Sequence, residues 1–258
     1  MKKYIFAFLT GVLAVFAVSC QKMSEGVTEV MSYFQMYGAS AIYLGVGDEF
    51  IDPGYQELEG GGTVVTTIYD MSDEEVSAVT TEEPGFFSVV YSTVNKQGVY
   101  FEKTRMVYIY DSTVTEKLGS FVVDGEASFY YNNGKSYDDN AATYAAAGRT
   151  VNGSPEITFK QVAGNIYSVS DMLGGWYTWI QGRGPLYADD YGLDYFDMKS
   201  YITLNADMTI SLLSSNIKCW GDGLDFIEDA VYDPETGRLT YDWQYAGSVA
   251  GHVEMVAQ

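Results

Sequence analysis

Beyond residue 30 the chain is a succession of short β-forming runs cut off by strong turn residues, and that punctuation limits what it can fold into. Residues 63–69, 86–93 and 105–110 read as strands. They are separated by Asp52, Pro53 and Gly54, by Gly60, Gly61 and Gly62, by Glu83, Pro84 and Gly85, and by Asn95, Lys96, Gln97 and Gly98. Residues 121–123, 156–162, 165–169, 200–204, 209–213, 230–232, 238–243 and 252–256 repeat the pattern, with tight turns at 163–165, 205–207 and 233–237. Such short links make neighbouring strands antiparallel hairpins. Only the Ala-rich stretch 138–148 reads as a turn or two of helix. The expected fold is all-β. Residues 31–112 suit a sandwich, because the late strands there are apolar on both faces. Residues 118–258 suit an antiparallel barrel or a second sandwich, with the boundary at 113–117.

Charge narrows the partners. Asp and Glu total 35 against 14 Lys and Arg, a net −21 at pH 7. Such a field repels phosphate backbones and anionic head groups, so nucleic acid is not an expected partner and membrane attachment requires an anchor. Acidity does not mean disorder here, since 47% of residues are hydrophobic and 23 are tyrosine. The two cysteines, Cys20 and Cys219, give no disulfide framework. Cys219, beside Trp220, reads as a small buried hydrophobe.

Met1, Lys2 and Lys3 precede an apolar run at 4–18 that is too short to span a bilayer, which is the pattern of a secretory leader. Its end, Ala17, Val18, Ser19 and Cys20, resembles the lipobox of bacterial lipoproteins. That resemblance implies a signal peptide over 1–19, lipidation of Cys20 and membrane attachment through that residue. Several acyl chains on one cysteine give stable anchoring. Residues 20–30 suit a tether. No acidic cluster follows the cysteine, so no surface-export tag is evident.

Two further resemblances cover most of the rest. Val46, Gly47, Asp48, Phe50, Asp52, Pro53, Gly54 and Tyr55, then Pro84 to Tyr91 and a closing strand at 105–110, resemble the bacterial immunoglobulin-like surface domain. In that family the module is a spacer or adhesive unit. The late turn here carries Asn95, Lys96, Gln97 and Gly98 where the family has Asp and Gly-Asn, which puts a calcium role in doubt. Asn165 to Asp171, Gly174 to Tyr177, Leu204 to Ile210, Trp220 to Asp222 and Tyr232 to Gly237 resemble an all-β C-terminal domain of unassigned function. It follows an immunoglobulin-like domain in lipoproteins of Bacteroidetes polysaccharide-utilisation loci. The resemblance implies an outer-membrane lipoprotein, the cell-surface face favoured over the periplasmic one. Its partners would be a polysaccharide or oligosaccharide and an outer-membrane transporter or fellow lipoprotein.

Catalysis is not expected. The lone His252 lies in a terminal run where Val253 and Met255 face inward, and neither a serine elbow nor a cysteine partner accompanies it. Gly182, Arg183, Gly184 and Pro185 read as a glycine loop without the helix a phosphate cradle needs. Carboxylate pairs are available among Asp189, Asp190, Asp194, Asp197, Asp222, Asp225, Glu228 and Asp229, but 35 acids supply such pairs by chance. None follows the spacing of a calcium loop, so no metal and no cofactor are expected.

The stretch 165–196 stands out because aromatic side chains alternate with glycines and carboxylates without strand periodicity. It reads as a long loop whose rigid rings offer contact area at low entropic cost. The expected glycan-binding surface is Trp176, Tyr177, Trp179, Tyr187, Asp189 and Asp190, with Trp220. Extended backbone at 174–180 would put Trp176 and Tyr177 on opposite faces, so one tryptophan is expected to be core unless the glycines bend the chain. The alternative is a structural spacer and protein-docking module, with these rings buried at a partner interface.

Overall fold

The computed structural model describes residues 34–58, 62–95 and 98–258. The leader, Cys20, the tether, residues 31–33 and the central residues of the turns expected at 60–62 and 95–98 lie outside the described residues. The described chain forms two compact units. One takes residues up to 37, 53–66 and 91–103, and the other takes 38–52, 67–90 and 104–258.

The N-terminal strands are β1 (Phe34–Met36), β2 (Ala41–Gly45), β3 (Tyr55–Glu57), β4 (Val65–Tyr69), β5 (Glu75–Val76), β6 (Gly85–Val94) and β7 (Tyr100–Tyr110). β1 pairs antiparallel with β3. Phe34 is buried and meets Tyr55, Tyr91 and Phe101 edge-on, at centroid distances of 5.8, 6.2 and 5.3 Å. The larger sheet has the order β2-β7-β6-β4-β5, with β2 parallel to β7. Period-2 alternation sends Val89, Tyr91 and Thr93 of β6 and Arg105, Val107 and Ile109 of β7 inward. Arg105 is fully buried, and its Nη1 lies 3.1 Å from Oδ1 of Asp52. The aspartate of the Asp52, Pro53, Gly54 turn is therefore a counter-charge.

The C-terminal elements are β8 (Ser120–Val123), β9 (Phe129–Tyr130), β10 (Lys135–Ser136), α1 (Tyr137–Ala146), β11 (Glu156–Ala163), β12 (Ile166–Val169), a π-helical turn (Trp176–Ile180), α2 (Arg183–Tyr191), β13 (Met198–Leu204), β14 (Ile210–Ile217), β15 (Leu224–Asp233), β16 (Arg238–Tyr245) and β17 (Val249–Ala257). Antiparallel pairing runs β14-β13-β12-β11-β8-β17-β16-β15. β8 joins the first part of this sheet to its last strand. Isolated bridges at Thr209–Val231 and Ile217–Asp222 bring β15 back to β14, so the sheet curls into a partial barrel. Its concave side is filled by alternate residues such as Phe121, Phe159, Ile202, Tyr241, Trp243 and Val253, all buried. Asn165 ties the domain entrance to a hairpin. Its Nδ2 donates to Thr203 Oγ1 and to the Leu204 carbonyl, and its Oδ1 accepts from the Asp111 amide.

The helices require a correction. α1 begins where the Ala-rich stretch suggests, with Ser136 Oγ accepting from the Asp139 amide at 3.1 Å and Asp138 and Asp139 in the first turn. α2 was not expected: a helix does follow Gly182. Pro185 sits in its first turn, where a missing amide costs nothing. β15 also starts six residues before the expected 230–232 run. Two register shifts, and Asp229 at φ 49°, break the alternation that would have revealed it.

Candidate functional site

Residues 171–197 plug one end of the partial barrel and carry the site on their outer side. Gly174 and Gly175, at φ 60° and 78°, turn the chain sharply enough to start the π-helical turn. A Cβ on Gly174 would come within 2.9 Å of Val253 Cγ2, and one on Gly175 within 2.6 Å of Pro155 Cγ. The turn drives Trp176, Tyr177 and Ile180 into the core. Trp176 is 1% exposed and stacks on Tyr130 at 4.1 Å, with Tyr137 at 5.4 Å. It presents no face to a ligand, which corrects its place in the expected surface. Tyr177 is likewise buried and meets the surface cluster through a T-shaped contact with Trp220. Trp179 is half-buried beside Gly175 and its carbonyl accepts from the Asn152 amide.

A different set of rings faces out. Trp220 is 45% exposed, stacks on Tyr245 at 5.9 Å, and meets Tyr177 at 4.9 Å and Phe196 at 6.2 Å. Phe196 continues the surface to Tyr187 and Tyr195, and Tyr195 stacks on Tyr191 at 4.6 Å. Tyr187 and Tyr191 are exposed on α2. The guanidinium of Arg183 lies 5.2 Å from the Tyr177 ring and 5.8 Å from those of Phe196 and Trp220. Gln181 Oε1 accepts from its Nε and fixes its plane. Lys218 lies over Tyr195, and Asp222 accepts from the Tyr245 hydroxyl at 2.8 Å. Burial and this acceptor push the Tyr245 hydroxyl above its usual range. The structure thus gathers Tyr177, Tyr187 and Trp220 of the expected set and leaves out Trp176. Asp189 and Asp190 are exposed on α2. Arg183, Tyr191, Tyr195 and Phe196 were missed as members, because only the helix brings them beside Trp220.

Behind the rings lie two acids, one buried and one half-buried. Asp171 is almost inaccessible; its Oδ1 accepts from the Leu173 and Met198 amides at 2.9 and 3.2 Å. Burial, reinforced by Asp197, holds its carboxyl well above the usual range. Asp197 accepts from the Thr178 hydroxyl, yet burial still raises it to about 6. A carboxyl that binds its proton more tightly when folded stabilises the fold below its unfolded pKa. That contribution fades as pH rises from about 4 through about 6. Asp197→Asn, which keeps an acceptor for Thr178, is expected to fall less in Tm than the parent between pH 5 and pH 7.5. The difference over that range is about 1.4 kcal/mol, since about one unit of the shift is titrated within it. Parallel melting profiles across that range would refute the assignment.

Other residues are quiet. His252 Nδ1 lies 2.6 Å from Asp242 Oδ1, an arrangement on the outer face of β16 and β17. Cys219 is half-buried and burial pushes its thiol up to about 11, which makes it a poor nucleophile at neutral pH. Among the described residues, no group of three or more His, Cys, Asp or Glu is arranged to hold a metal ion.

The model of the bacterial surface protein Ig-like domain matches residues 34–109, and a family model described as a C-terminal domain matches residues 133–256. No curated protein matches the chain. The crystal structure of the lipoprotein BT2262 from Bacteroides thetaiotaomicron is similar at 27% identity and a TM-score of 0.40, over 88% of this chain and 100% of that one. The chain therefore carries a bacterial surface Ig-like domain at its N-terminal side, followed by an all-β C-terminal domain.

Proposed function

We propose that the protein is a cell-envelope lipoprotein, anchored at the outer membrane through Cys20 and facing the cell surface. There it binds a polysaccharide or oligosaccharide without transforming it and assists its uptake in a polysaccharide-utilisation system. The observation that carries this reading is the ring cluster in which exposed Trp220, Tyr187 and Tyr191 and half-buried Tyr195 are linked through Phe196, with the guanidinium of Arg183 beside Trp220. Flat rings match the apolar faces of sugar rings, while Arg183, Lys218, Asp189 and Asp190 offer hydrogen bonds to hydroxyls. A surface of exposed aromatics on a folded domain marks a binding site.

Isothermal titration of the ectodomain against a panel of soluble polysaccharides tests the proposal, and silence toward every member would sink it. With a ligand found, Trp220→Ala is expected to weaken binding about tenfold or more, as loss of a central aromatic anchor does. A second reading rests on Leu186 and Leu193, 56% and 44% exposed in the same segment, which suit a protein partner. Under it, pull-down from solubilised membranes recovers a transporter or lipoprotein without glycan, and Leu186→Asp abolishes the recovery.

A further inference from the structure

We propose a second carbohydrate site, selective for a hexuronate-containing oligosaccharide, in the groove over the convex face of β11, β12, β13 and β14. The groove has a volume of about 910 Å³, and all its lining residues belong to the second unit. Strand register builds its floor. Lys160 faces Ser168, Ser168 faces Tyr201 and Tyr201 faces Ser214, one row across four strands. Beside it Lys199 faces Asn216, and Ser170 Oγ accepts from the Thr158 amide. These residues point away from the core because their strand neighbours Phe159, Val169 and Ile202 point into it.

The chemistry of the floor is unlike the rest of the molecule. Acids outnumber bases 35 to 14 along the chain, yet the groove is lined by two lysines and the single carboxylate of Asp73. Lys199 is paired with Asp194, whereas Lys160 is exposed and forms no ion pair among the described residues. A row of hydroxyls with one free ammonium at its end suits a polyhydroxylated chain bearing a carboxylate. Net charge elsewhere excludes polyanions of high charge density, so a sparse anion is favoured over phosphate polymers. The wall is fixed rather than adaptable. Asp70 Oδ1 accepts from the Ser72 and Glu74 amides, which holds the turn bearing Met71 and Asp73, and Phe86 packs on Tyr201 at 4.9 Å.

The test is titration of the full ectodomain with a xylo-oligosaccharide bearing a single glucuronate branch and with the same oligomer after its carboxylate is reduced. Parent protein is expected to bind the acidic probe, and to bind it more weakly as NaCl rises from about 50 mM to about 500 mM. Lys160→Glu is expected to weaken it about tenfold or more, Lys160→Arg to retain it, and Trp220→Ala to leave it unchanged. No binding of the acidic probe by the parent protein overturns the inference. So does binding that Lys160→Glu leaves intact. Loss through Trp220→Ala alone would place the sugar on the aromatic surface, sparing that reading while rejecting this groove.

Discussion

Trp176→Ala is expected to destabilise the C-terminal domain by about 3–5 kcal/mol, lowering Tm by roughly 10 °C in thermal unfolding. The indole is 1% exposed, and its neighbours Tyr130 and Tyr137 are held by their own strand and helix, so the space left cannot close easily. Its Nε1 has no hydrogen-bond partner among the described residues, which leaves packing as the source of the loss. Trp176→Phe, which keeps a ring against Tyr130, is accordingly expected to recover much of it. A Trp176→Ala protein melting within about 2 °C of the parent would contradict the placement of this residue in the core.

Asp52→Ala is expected to cost about 3 kcal/mol or more, because it removes the carboxylate beside a guanidinium that is fully buried. The contrast is the pair Lys199–Asp194, about half exposed on both sides, whose removal by Asp194→Ala is expected to cost under about 1 kcal/mol. Replacing both partners, Asp52→Ala with Arg105→Met, should recover part of the first loss, since an apolar pair needs no desolvation of charge. Equal small effects of Asp52→Ala and Asp194→Ala on urea midpoints would show that the Asp52–Arg105 pair does not hold the domain.

These two residues also show what was legible in the sequence. Short β-forming runs bounded by turn residues marked β6, β7, β13, β16 and β17, because a strand must end where Gly, Pro or Asn turns the chain. Asp52 was legible as part of a recurring motif, but its role was not, since its partner Arg105 lies on another strand. The stretch 165–196 was recognised as the unusual one and misread in its conformation. Gly174, Gly175, Gly182 and Gly184 suggested an open loop, whereas the first three supply left-handed turns that fold it inward and Gly184 lets α2 pack on Thr178. Trp176 and Trp220 look alike in sequence; only the π-helical turn makes one core and the other surface. The partial barrel curls round through the bridge between Thr209 and Val231, distant in sequence, and no local pattern announces pairing of that kind.

The proposed recognition lies on the outer rings around Trp220, whereas the inner ones around Trp176 are buried in the core. The decisive measurement is titration of the polysaccharide that binds most tightly into Trp220→Ala, with Tm measured on the same sample. A Tm within about 2 °C of the parent and binding weakened about tenfold or more are expected. Unchanged affinity with an unchanged Tm would contradict the proposed recognition, because the exposed aromatic surface would then take no part in holding the glycan.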